Sequence, residues 1–233
     1  MKRFRIVHKP VYSALEVTLE EGEKVVGEAG GMAFMDSTVG IETSARGGIF
    51  NAFKRALVGR EAFFMNTFHG PGKIVFAPPY DGDIFHIPLK EDETWLVQGG
   101  SYMASSSSVK IDTKWGGFKG LLAEGNLFFL KIDGPGDLFL SVYGAIDERT
   151  LVPGERFIID TGHLVGFKGK EVKFDIRRVG GWKSTFLSGE GIVTQLYGPC
   201  RLLTQTRSID SFVTWLIKML PTERGRVTFR VGR

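Results

Sequence analysis

Leu127-Phe128-Phe129-Leu130-Lys131-Ile132-Asp133-Gly134-Pro135-Gly136-Asp137-Leu138-Phe139-Leu140-Ser141-Val142 decides the fold. Two apolar, strand-like runs flank a Gly-Pro-Gly reversal, which calls for a positive φ at glycine and a fixed φ at proline. The arrangement recurs 64 residues upstream, at Gly70-Pro71-Gly72, between Phe63-Phe64-Met65 and the run Lys73 to Ala77. It recurs 64 residues downstream at Gly198-Pro199, between Ile192-Val193 and Arg201 to Thr204, with Cys200 in place of the last glycine.

Two further landmarks keep step with these corners. Gly-Gly and a bulky apolar residue stand at Gly47-Gly48-Ile49, Gly116-Gly117-Phe118 and Gly180-Gly181-Trp182. An apolar residue, a short turn, a glutamate and an extended run follow one another at Leu19 to Val26, Leu89 to Val97 and Leu151 to Ile159. Three matching sets in one order predict a triplicated β-unit over residues 11–79, 80–143 and 144–207. A single unit has one apolar face and open edges, whereas three together bury the face and protect the edges. The expected fold is an all-β single domain. Its three units, related by a pseudo-threefold axis, form a barrel, a prism or a double-stranded β-helix-like body.

Two segments carry helical rather than strand periodicity. From Gly48 to Gly59, Ile49, Phe50, Phe53, Ala56 and Leu57 recur on one face, with Lys54 and Arg55 off it. From Ser208 to Leu220, a cap-like Ser208 or Asp210 leads into an apolar stripe that Pro221 ends. Residues 224–233 read as a basic tail strand.

Composition narrows the class. The 233 residues are 42% hydrophobic and include 19 Phe and 31 Gly, which means a packed core with many tight turns and not a disordered chain. The lone Cys200 excludes a disulfide framework and a multi-cysteine metal site. A reducing, cytoplasmic compartment is the expectation. Met1 to Pro10 is charged and lacks the apolar stretch of a signal peptide. No apolar run reaches the length of about 18 residues that spans a bilayer. The net charge of +4 sits largely in the final stretch, where Arg224, Arg226, Arg230 and Arg233 meet no acid.

Reactive constellations are not evident. His8, His69, His86 and His163 show no ligand spacing, and each reads as a strand or turn residue with a local hydrogen bond. Gly181-Trp182-Lys183-Ser184-Thr185 lacks the geometry of a phosphate loop. Ser105 to Ser108 read as a solvated strand or loop, with no nucleophile elbow around them. Asp81, Asp83 and Glu91 to Glu93 read as turn formers. Cys200 reads as a structural thiol. No catalytic residue, metal ligand or cofactor is expected, and a non-enzymatic scaffold or interaction protein is the functional expectation.

Interaction surfaces are easier to name. Ile49, Phe50, Phe53, Lys54, Arg55 and Leu57 form a basic amphipathic face, and Phe212, Trp215 and Leu216 stud the second helix. For the 49–57 face the ordinary use is to cover the protein's own core, with self-association or a protein partner next and an anionic membrane surface after that; a homo-oligomer is the expectation for the chain as a whole. Arg224, Arg226 and Arg230 could touch phosphates, but they alternate with Val227, Phe229 and Val231 as charges on an edge strand do. Nucleic acid is therefore not expected, and a small-molecule ligand is left open.

Leu15 to Met35, Ile159 to Val165, Ser188-Gly189-Glu190-Gly191 and Gly198 through Arg207 resemble the bacterial and archaeal family whose eukaryotic relatives are called altered inheritance of mitochondria 24. The resemblance covers nearly the whole chain. It implies a fold near the double-stranded β-helix and tryptophan RNA-binding attenuation protein-like architectures, and it implies oligomerisation. For eukaryotic members it implies a role in organising the mitochondrial inner membrane. It brings no established catalytic residues. Cys200 departs from the family's glycine, and the absence of a mitochondrial targeting segment keeps the organelle role from carrying over.

Overall fold

The computed structural model of the chain describes residues 3–44, 65–112, 129–169, 171–178 and 192–220. These residues form nineteen strands and one α-helix. The first stretch holds β1 (Phe4–Val7), β2 (Ala14–Leu19), β3 (Lys24–Glu28), β4 (Met32–Met35), β5 (Gly40–Ser44), β6 (Met65–His69) and β7 (Gly72–Phe76). The second holds β8 (Gly82–Leu89), β9 (Thr94–Gln98), β10 (Tyr102–Ser106), β11 (Lys110–Asp112), β12 (Phe129–Asp133) and β13 (Gly136–Tyr143). The third holds β14 (Ile146–Leu151), β15 (Arg156–Asp160), β16 (Leu164–Lys168), β17 (Phe174–Arg178), β18 (Ile192–Tyr197) and β19 (Cys200–Gln205), followed by α1 (Ile209–Met219).

Antiparallel pairing follows one scheme in each stretch. β7 lies between β2 and β4, and β6 between β3 and β5. β13 lies between β8 and β10, and β12 between β9 and β11. β19 lies between β14 and β16, and β18 between β15 and β17. Successive stretches then join edge to edge, β3 with β10 and β9 with β16. Four sheets result: β1-β2-β7-β4, β5-β6-β3-β10-β13-β8, β11-β12-β9-β16-β19-β14 and β15-β18-β17. They are not closed into a barrel, against that part of the expectation. Among the described residues each sheet ends in strands paired on one edge only, β4 and β15 among them.

The corners explain two of the three sequence landmarks; the Gly-Gly landmarks at Gly47-Gly48, Gly116-Gly117 and Gly180-Gly181 lie outside the described residues. Gly70-Pro71, Gly134-Pro135 and Gly198-Pro199 are all cis. At each, the glycine N–H donates to the carbonyl of Glu23, Glu93 or Glu155 at 3.0 Å. The side chain of that same glutamate accepts from the backbone N–H three residues earlier, at Glu20, Lys90 or Val152. The glycine passes so close to the adjoining strand that a Cβ would collide with the carbonyl oxygen of Glu20, Lys90 or Val152. The Gly-Pro and turn-Glu landmarks are thus two halves of one corner.

Gly72 and Gly136 follow with φ of 140° and 143°, a region that L side chains rarely adopt. Cys200 stands at the corresponding place without a positive φ, and its side chain is buried. Burial pushes its thiol up, and the charge of Glu155 adds to the shift.

The core follows from strand alternation. β2 buries Leu15, Val17 and Leu19 while its other side chains stay half-exposed. These pack with Phe68, Phe76 and, from the second stretch, Phe139 and Ala104. A second cluster centres on Trp95, Tyr102 and Leu140, and a third on Phe167, Leu196 and Leu202. Tyr102 ties the β3–β10 joint, its hydroxyl donating to the Val26 carbonyl at 3.2 Å. Away from the corners, Ser44 faces Met65 at one end of β5–β6, and Arg178 faces Ile192 at one end of β17–β18.

Candidate interaction surface

α1 starts where the sequence places it. The Ser208 hydroxyl accepts from the Ser211 N–H at 3.3 Å, Asp210 lies in the first turn and Lys218 in the last, both in favourable positions on the helix dipole. The foot of the helix is fixed by backbone and side-chain bonds. Thr206 N donates to the Ala145 carbonyl and Arg207 N to that of Tyr143. Gln205 accepts from Tyr143 N and donates to the Gly162 carbonyl, both at 2.9 Å. Ser208 is buried and packs directly on Gly162, in the short 3-10 turn Thr161–His163.

Beyond that foot the helix is not buried at any residue. Ile209, Phe212, Val213, Leu216 and Ile217 recur at three- and four-residue spacing and so share one face. The predicted residues Phe212, Trp215 and Leu216 are 44%, 53% and 39% exposed. Trp215 stacks on Phe212 at 5.9 Å, and Phe212 meets the ring of Tyr143 edge-on at 6.2 Å. The structure therefore brings two of the three together in one aromatic cluster. Ile49, Phe50, Phe53, Lys54, Arg55 and Leu57, and likewise Arg224, Arg226 and Arg230, lie outside the described residues.

A cleft of about 320 Å³ opens beside Ile209, which the sequence reading missed. Its polar groups are Glu28, Tyr80 and Ser141. The Tyr80 hydroxyl donates to the Gly100 carbonyl at 3.2 Å and bonds to Ser141 Oγ at 2.9 Å. Burial pushes the Tyr80 phenol up, with the Ser141 bond pulling the other way. Burial also raises the Glu28 carboxyl to about 7. The result is a largely apolar cleft whose charge changes near neutrality. Its members come from segments far apart in the chain, so only the Pro78-Pro79-Tyr80 run offered a local signal.

Other sequence readings are corrected here. Ser105 and Ser106 are buried in β10, not solvated, because β3 and β13 cover both edges of that strand. Asp83 is a buried strand residue, not a turn former: it accepts from Ser13 Oγ and from Ile84 N at 2.7 Å, and Lys9 lies 3.2 Å away. Glu93 serves its turn and more, meeting Trp95 Nε1 at 3.0 Å and Lys168 at 3.1 Å. Burial opposes its charge, but these bonds outweigh it and hold the carboxyl below the usual range.

Among the described residues three of the four histidines have partners, each from a distant part of the sequence and not from its own turn as expected. His86 Nε2 lies 2.8 Å from Asp137, His69 Nε2 lies 3.4 Å from Glu42, and His163 Nδ1 lies 2.8 Å from the Gln205 carbonyl. Ser106 Oγ also bonds to Asp137, which makes the order serine–aspartate–histidine, with the carboxylate between the other two. A nucleophile–base pair needs the serine on the imidazole. Among the described residues no three His, Cys, Asp or Glu side chains converge to hold a metal, and no helix is long and apolar enough to cross a membrane.

Comparison with known proteins bears on the fold. The sequence model of the family described as Mitochondrial biogenesis AIM24 matches residues 4–207. An uncharacterized protein of Streptococcus pyogenes serotype M6 is 27% identical over 230 residues, 94% of this chain and 92% of its own. A crystal structure of a Streptococcus pyogenes protein superposes with a TM-score of 0.78 at 26% identity, covering 94% of this chain and 99% of that one.

Proposed function

The chain belongs to the mitochondrial biogenesis AIM24 family, and from that premise we propose that it is a non-enzymatic scaffold that assembles with copies of itself. In this reading one strand module, used three times in succession, supplies the rigid frame. The pairing scheme shared by the three stretches and the three matched corners support it.

One observation carries the self-association: α1 leaves its apolar stripe unburied along its whole length. A contiguous apolar face on a folded chain marks a surface that another protein surface covers. The face is aromatic-rich, as interface centres are, and the buried foot at Ser208 holds it in a fixed direction.

Light scattering on the purified chain, with native mass spectrometry, tests the proposal. The expected result is a multimer that Phe212→Glu with Leu216→Glu weakens while circular dichroism stays that of the wild type. A single-chain mass at every concentration would overturn it.

A further inference from the structure

Building on the self-association reading, we propose that copies join head to tail through the edges of β4 and β15 that are open among the described residues. Those edges are the two halves of a joint that the chain already makes twice with itself. In the first internal joint, Ala104, Ser105 and Ser106 of β10 face Gly27, Val26 and Val25 of β3. In the second, Gly166, Phe167 and Lys168 of β16 face Val97, Leu96 and Trp95 of β9.

The flanking pairings fix which residues correspond. Phe34 and Met35 pair with Val75 and Ile74 of β7 as Ala104 and Ser105 pair with Phe139 and Leu138 of β13. Gly166 and Phe167 pair likewise with Leu203 and Leu202 of β19. On the other half, Glu23, Glu93 and Glu155 each hold their corner, so β15 takes the place of β3 and β9. The register carries over without a gap. Phe34 faces Ile159 of a second copy, Met35 faces Ile158, and Asp36 faces Phe157.

Exposure distinguishes the free halves from the joined ones. Val26, Ala104, Leu96, Val97 and Phe167 are buried at the internal joints. Phe34 and Ile158, in the corresponding places, are 62% and 55% exposed. β4 reads Met-Ala-Phe-Met, with none of the charges or prolines that keep natural edges from pairing. Asp36 and Glu155 flank the joint with partners of their own, the Lys73 N–H and Arg149. The two halves lie on different surfaces of one chain, so the contact is heterologous and propagates into a ring or an open array.

Mixing two single-site variants tests the joint, since Cys200 is buried and each variant adds one thiol at the proposed contact. Met35→Cys and Ile158→Cys are oxidised separately and together, and the products are read on a non-reducing gel. The expected result is a two-chain species in the mixture that neither variant gives alone at comparable yield. Ile158→Lys, which sets a charge into the edge, is expected to weaken wild-type assembly by about tenfold or more. A multimeric wild type without the mixed cross-link overturns the edge joint and leaves the scaffold reading standing. A Met35→Cys/Ile158→Cys chain that closes only on itself, with no ladder of higher species, overturns the edge joint as well. A wild type of single-chain mass overturns the scaffold reading itself.

Discussion

β10 and β4 take the same place in successive stretches, yet every residue of β10 is buried and every residue of β4 is exposed or half-exposed. Sequence alone suggests the reverse. β10 reads Tyr-Met-Ala-Ser-Ser, more polar than the Met-Ala-Phe-Met of β4. What separates them among the described residues is the neighbour: β10 has β3 on one edge and β13 on the other, whereas β4 has β7 alone. Burial in this architecture is a property of the joint between stretches. The polar residues of β10 are tolerated there because the joint supplies their partners, as when the Tyr102 hydroxyl bonds to Ser105 Oγ at 3.0 Å.

The comparison can be broken most strongly from the buried side. Phe139 of β13 pairs with Ala104 of β10 at zero exposure, and Phe139→Ala should cost about 3–5 kcal/mol in urea unfolding. Gly134→Ala comes next. It forces a Cβ onto the Lys90 carbonyl at a corner that both flanking strands hold rigid, and a loss on the order of 3 kcal/mol is expected.

Glu28, at the end of the strand that pairs with β10, sharpens the contrast through pH. Its carboxyl is raised from 4.5 to about 7, so the folded chain keeps a proton that the unfolded chain has released. The contribution is full below 4.5 and falls as pH rises through 7. Glu28→Gln should flatten that slope and stabilise the protein above neutrality by up to about 3 kcal/mol, read from urea midpoints across the range.

Smaller effects belong to the exposed elements. Ser208→Ala removes the cap of α1 and should cost about 1 kcal/mol, seen as loss of helical signal before global unfolding. Phe34→Ala, on the open edge, should change the stability of a single chain by no more than about 0.5 kcal/mol. A Phe34→Ala loss as large as that of Phe139→Ala would erase the distinction between the free edge and the joined one.

Glycine and proline made the corners legible, since both impose backbone demands that neighbouring side chains cannot rewrite. α1 was legible for a similar reason: Ser208, the apolar spacing and Pro221 are all local signals. Ser105, Ser106 and Asp83 were misread because their burial depends on strands that arrive from elsewhere in the chain. Asp83 reads as a turn acid until Ser13, 70 residues away, donates to it. The Glu28 cleft was invisible for the same reason, because Tyr80 and Ser141 reach it only through the fold.

The hairpin ends at Ser44–Met65 and Arg178–Ile192 lie at the far end of β6 and β18 from their Gly-Pro turns. A one-residue slip of β6 or β18 would have to move its Gly-Pro turn and its outermost pair together. Misalignment in this frame is therefore all or nothing for a strand, because one register shift turns its whole buried face to solvent.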